Sequence, residues 1–165
     1  MDKRQRLIVA IFGGLLVAAL IMLTALLLTK EPDVIISDFE APPFDEGAVL
    51  GIPEEAIADG NYHEGTVEGC YSFSICGAPV YENGHLYPYF ASHGDNEVWL
   101  LIKVYGADGT EIGKSGLIRP GECIPSVALS TTPTGTEVRV KIFSYEPETY
   151  FSRGSASATL ALLQN

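Results

Sequence analysis

Beyond its first thirty residues the chain is short of positive charge. Residues 31–68 hold eleven Asp and Glu and neither Lys nor Arg, while residues 69–165 hold six bases against nine acids. The net charge of −11 is therefore distributed as +3, −11 and −3 over residues 1–30, 31–68 and 69–165. Along the sequence no basic patch survives outside the extreme N-terminus. A nucleic-acid partner, which needs a Lys/Arg footprint on a folded surface, is not expected. Cysteine is also scarce. Three residues, Cys70, Cys76 and Cys123, cannot build a full disulfide framework. Cys70 and Cys76 lie six positions apart in a segment without Gly or Pro. If that segment is extended they stand roughly 20 Å apart, far beyond disulfide reach. We expect three free thiols.

Catalytic and metal-binding patterns are missing as well. No Gly-x-Ser-x-Gly elbow occurs, and His63, His85 and His93 show no His-x-x-x-His spacing. No paired Cys-x-x-Cys hooks are present. Gly113-Lys114-Ser115 suggests a phosphate loop, but the Gly required five residues earlier is Asp108. His93-Gly94-Asp95-Asn96-Glu97 is too short a loop to supply six calcium ligands and reads as a plain turn. No metal, no cofactor and no catalytic residues are expected.

One feature dominates what is present. Residues 7–29 run for 23 positions without a charge. As a helix they would span roughly 35 Å, enough for a hydrocarbon core of about 30 Å. The run is too long for a signal peptide and lacks a small-x-small cleavage site. It reads as an uncleaved signal-anchor, a single transmembrane helix embedded in the lipid bilayer. Lys3, Arg4 and Arg6 would hold residues 1–6 in the cytoplasm and send the C-terminal part outside, at the plasma membrane.

The eleven acids and Pro32, Pro42, Pro43 and Pro53 mark residues 30–68 as an extended stalk. Pro53-Glu54-Glu55-Ala56-Ile57-Ala58 within it suggests a turn or two of helix, held only if it docks. From Gly69 onward the apolar period becomes two. Strands are expected over 71–76, 86–92, 98–105, 111–115, 122–129, 138–145 and 155–163, with Pro88 suggesting an edge or a bulge in the second and a break near Pro125. Glu82-Asn83-Gly84, Asp108-Gly109 and Arg119-Pro120-Gly121 are turn signals. Val138, Val140 and Ile142 should point inward, and Arg139 and Lys141 to water. Seven short strands argue for an all-β domain over 69–165, an antiparallel immunoglobulin-like sandwich, with a small barrel as the alternative. The lack of a Cys…Trp…Cys framework argues against a true antibody-type domain.

Two aromatic groups stand out as candidate binding residues: Tyr81, Tyr87 and Tyr89 in one segment, and Tyr145, Tyr150 and Phe151 around the last inter-strand loop. Aromatic side chains at sandwich ends serve recognition, including sugar stacking, and serve equally to pack loops.

The run Gly113-Lys114-Ser115-Gly116-Leu117-Ile118-Arg119-Pro120-Gly121-Glu122, with Tyr145-Glu146-Pro147-Glu148-Thr149-Tyr150, resembles a family of small single-pass membrane proteins of clostridia-type Gram-positive bacteria. The resemblance covers roughly residues 70–163 and the general layout. It implies an anchored protein with an extracytoplasmic β-domain and no particular chemistry. The expected function is a membrane-tethered binding or structural module of the cell envelope, non-catalytic, with a surface or envelope protein as partner. A carbohydrate-binding module for wall or host glycans is the alternative, and a hydrolase a more remote one.

Overall fold

The computed structural model describes residues 2–5, 22, 40–58 and 61–163. The chain divides into two units, residues 1–40 and 41–165. In the first, residues 3–5 are helical and the Gln5 amide donates to the Asp2 carbonyl at 2.9 Å. The expected membrane span, 7–29, lies outside the described residues apart from Met22, as does 31–39 of the expected stalk. Among the described residues no helix is long and apolar enough to cross a membrane.

The second unit is all-β and sandwich-like, built from antiparallel sheets. Its strands are β1 (Val49–Leu50), β2 (Tyr62–Val67), β3 (Tyr71–Cys76), β4 (Val80–Glu82), β5 (His85–Tyr87), β6 (Phe90–Ser92), β7 (Trp99–Tyr105), β8 (Glu111–Lys114), β9 (Glu122–Ile124), β10 (Val127–Ala128), β11 (Glu137–Tyr145) and β12 (Ser152–Ala161). One short helix, α1 (Glu54–Ala58), joins β1 to β2. Three sheets result, ordered β1-β9-β6-β3-β2, β12-β11-β7-β8 and β10-β5-β4. All three feed one core. Phe73, Ile75, Phe90 and Ile124 from the first meet Leu100, Ile102, Val140 and Ile142 from the second, with Leu86 and Val127 from the third.

Local chemistry explains most of these elements. On β11, Val138, Val140 and Ile142 are buried while Glu137 and Arg139 are exposed, the two-residue period of a one-sided strand. The β7–β8 hairpin turns at Gly109, whose φ of +82° suits a residue without Cβ. Asp108 reinforces that turn by accepting from the Thr110 amide and hydroxyl at 2.9 and 2.8 Å. Those bonds hold its carboxyl below the usual range. Arg119-Pro120-Gly121 closes a turn, with the Glu122 amide on the Arg119 carbonyl at 3.1 Å and Gly121 at φ +80°.

Two expectations need correction. The count of about seven strands rises to twelve, because β1, β2 and β4 form outside the expected ranges and Pro88 and Pro125 split two expected strands into pieces that join different sheets. Thus β5 belongs with β4 and β10, whereas β6 pairs with β3 and β9. The expected stalk does not continue to residue 68, and the domain does not begin at 69. Pro43 and Asp45 exchange backbone bonds of 2.8 and 2.9 Å with Leu117, β1 pairs with β9, and β2 pairs with β3 over six residues. Backbone pairing and a few apolar contacts fold residues 41–67 despite their acids. β1 and β2 occupy opposite edges of one sheet, and α1 shares an open groove with Cys76 and Tyr89. Ala56 is buried, and so is the outward row Ser74, Ala91 and Cys123.

Candidate functional site

The first expected aromatic group splits across two faces. Tyr81 pairs with Leu86 and packs against the core, its hydroxyl 3.2 Å from Thr132 Oγ1. Tyr87, paired with Val80, faces the other way. Its ring stands 6.5 Å from that of Tyr89, and both line an open groove of about 470 Å³ with Glu55, Ala56 and Cys76. Tyr89 takes an unfavourable φ of +44° and is held by two bonds. Its amide donates to the Pro125 carbonyl at 3.3 Å, and its carbonyl accepts from the Tyr62 hydroxyl at 3.0 Å. Burial raises the Tyr89 hydroxyl, with the Glu55 carboxylate adding to the effect. Tyr62, beneath, is raised further by burial and by the nearby thiols of Cys123 and Cys76.

The second group forms part of a different structure. The loop after β11 is closed by Glu146 accepting from the Tyr150 amide at 3.0 Å and donating to the Phe151 carbonyl at 2.9 Å. Glu148 and Tyr150 both take positive φ, 68° and 56°. Tyr150 then meets Trp99 edge-on at 5.5 Å, and Trp99 meets Phe44 at 4.8 Å. The Arg119 guanidinium covers Phe44 at 3.8 Å. Tyr150 is thus a packing residue of this stack. Tyr145 pairs with Trp99 on β7, and Phe151 is 71% exposed. Phe44, Trp99 and Arg119 were not among the residues expected from the sequence; they come from three segments that only the fold brings together.

The outer face of β12-β11-β7-β8 carries a further group. Core positions on β7 and β11 are Leu100, Ile102, Val104, Val138, Val140 and Ile142, so Lys103, Tyr105, Arg139, Lys141, Phe143 and Tyr145 point outward. Register aligns them. Lys103 stands opposite both Lys114 and Lys141, a row of three lysines across three strands. Arg139 stands opposite Tyr105, its guanidinium 5.7 Å from the ring. Phe143 has Lys141 Nζ at 5.0 Å and Lys103 Nζ at 5.9 Å from its centroid. Among the described residues Lys103 alone of these bases has an ion-paired acid, Glu111 at 2.8 Å, whose hydrogen bond raises its pKa. Like charges directly opposite on a sheet cost on the order of 0.2–1 kcal/mol per pair. The expectation of no basic patch outside the N-terminus is corrected here. Counting charge along the chain cannot see register, which brings residues dozens of positions apart side by side.

The remaining motifs are structural. Ser115 of Gly113-Lys114-Ser115 is buried; its hydroxyl accepts from the Ile102 amide at 3.0 Å and donates to the Gly116 carbonyl at 2.8 Å. Asn96 clamps its loop to β3, accepting from the Ser72 amide at 2.8 Å and donating to the Ser72 carbonyl at 2.7 Å. Ser74 Oγ and His93 Nε2 are 2.9 Å apart. The three cysteines are free thiols, Cys70 exposed and Cys123 buried, with burial pushing Cys123 up to about 12. Among the described residues no group of three or more His, Cys, Asp or Glu is placed to hold a metal ion. No protein-family model and no curated protein matches the chain.

Proposed function

We propose that this protein is a non-catalytic binding module tethered to the plasma membrane by residues 7–29, with an extracytoplasmic, immunoglobulin-like β-domain that docks an envelope or surface protein. The observation that carries the protein-binding reading is an apolar segment on the outside of the domain. Val49, Leu50, Ile52 and Ile57 are all exposed, Leu50 to 88%. Val49 and Leu50 lie on β1, the edge strand of the five-stranded sheet, Ile52 just after it and Ile57 on α1. An unpaired edge with exposed large apolar side chains is a surface that favours a protein partner. The charge-free N-terminal segment and the flanking Lys3, Arg4 and Arg6 support the tether and its orientation.

A photo-crosslinking side chain at Leu50 of the full-length protein in cells tests the docking. The expected result is a discrete adduct with another protein, lost when Ile57→Gln is added. Since Ile57 is half exposed, that change should leave thermal stability within roughly 0.5 kcal/mol of the parent. An equal adduct from a crosslinker at exposed Thr134, far along the chain in another loop, would argue against a defined surface.

A further inference from the structure

The cation-rich outer face of β8-β7-β11-β12 is unused by protein docking at β1. We propose that it binds an anionic polysaccharide, a glycan chain bearing carboxylate or phosphate groups. Four of the six bases in residues 69–165 stand on this one face against two acids, Glu111 beside Lys103 and Glu137 at the start of β11. That leaves the face net positive on a chain whose net charge is −11. Lys103, Lys114 and Lys141 lie side by side across three strands, at the strand spacing of about 4.8 Å. Among the described residues no carboxylate pairs with Lys114 or Lys141. Such a row is held against its own repulsion, and a polymer with repeated negative charges is complementary to it.

The aromatic side chains decide the rest. Tyr105, Phe143 and Tyr145 are half-buried among these cations. On β7 Lys103 is followed on the same face by Tyr105, and on β11 Arg139 and Lys141 are followed by Phe143 and Tyr145, so apolar rings and positive charges share one sheet face. A sugar ring lays its C–H face on an aromatic ring while its charged substituent reaches the neighbouring ammonium group. Nucleic acid also uses rings beside cations, but duplex DNA carries one charge per roughly 1.7 Å, so the acidic remainder of the chain repels it more strongly than a glycan with sparser charges. The proposal rests on the outward location for its biological source of glycan, while the binding itself is a property of the purified protein.

The test is a titration of the full-length protein in neutral detergent with polygalacturonate, followed by the fluorescence of Trp99. Trp99 is the only tryptophan and pairs with Tyr145 at the end of the face. Neutral dextran and single-stranded DNA are run beside it at low and high salt. Saturable binding of polygalacturonate over dextran is expected, weakening as salt rises. Lys114→Gln with Lys141→Gln should weaken it about tenfold without lowering the thermal midpoint. Phe143→Leu should weaken it while preserving the salt dependence. Equal response to dextran, tighter binding of the DNA, or unchanged affinity in the double-lysine variant would overturn the proposal. So would self-association of the free protein that the double-lysine variant abolishes, since a second copy would then be the occupant.

Discussion

Ile142 and Arg139 lie three positions apart on β11 and face opposite ways. Ile142 is wholly buried against Leu100 and Ile102 in the core, while Arg139 stands in solvent over Tyr105. Ile142→Ala should destabilise by roughly 2–5 kcal/mol, from lost transfer energy plus the cavity left behind. Arg139→Ala should stay within roughly 0.5 kcal/mol. Denaturant titrations of both variants check the contrast. The thiols offer a second contrast. Cys70 is exposed and Cys123 is buried with its pKa pushed up to about 12 from an ordinary 9.0. At pH 8 Cys70 should react with a maleimide in the native state, and Cys123 only on unfolding. Because the folded pKa is the higher one, the stability that Cys123 contributes is complete below about pH 9 and is lost between about 9 and 12. Cys123→Ala should flatten that alkaline decline in a pH series of thermal midpoints.

At the scale of elements, strands with an apolar period of two were legible in the sequence. β3, β7, β11 and most of β12 stand where the two-residue apolar period puts them. Pro125 was legible as a break, whereas Pro88 read as an edge or a bulge and in fact divides β5 from β6; which sheet each fragment joins depends on tertiary pairing. β2 left almost no signal. Its inward positions are His63, Gly65 and Val67, and the space at Gly65 is filled by the Phe73 ring from the next strand. The Pro43–Leu117 contact was invisible for a similar reason, since a single backbone pairing has no periodicity. It depends on Gly116, where an added Cβ would lie 2.6 Å from Asp45 Cα. Gly116→Ala should therefore prise residues 43–45 off and separate Phe44 from Trp99. The cost is expected at about 1–3 kcal/mol, with a red shift of the Trp99 emission as water reaches the ring. Gly94→Ala, where an added Cβ meets nothing within 4 Å, should leave the spectrum unchanged. The candidate site follows the same logic. Tyr81, Tyr87 and Tyr89 were legible as one group, but that Tyr81 turns to the core while Tyr87 and Tyr89 share a groove follows from strand pairing. The Phe44–Trp99–Tyr150 stack and the lysine row exist only through register and packing.

At the scale of the molecule, the acids and the bases are separated by the fold in a way their order along the chain conceals. The described acidic stretch, 40–58, contributes an edge strand and α1, while the cations gather on the outer face of the other large sheet. Both proposed surfaces have meaning only if the β-domain stands outside the membrane. The exposed thiol of Cys70 reports on this directly. Cells carrying the full-length protein are treated with a membrane-impermeant maleimide, before or after lysis, alongside Cys70→Ser. We predict full labelling of Cys70 in intact cells, with the signal in Cys70→Ser falling to the slower reaction of half-exposed Cys76. Labelling of Cys70 only after lysis would contradict the outward orientation and the tethered binding module with it.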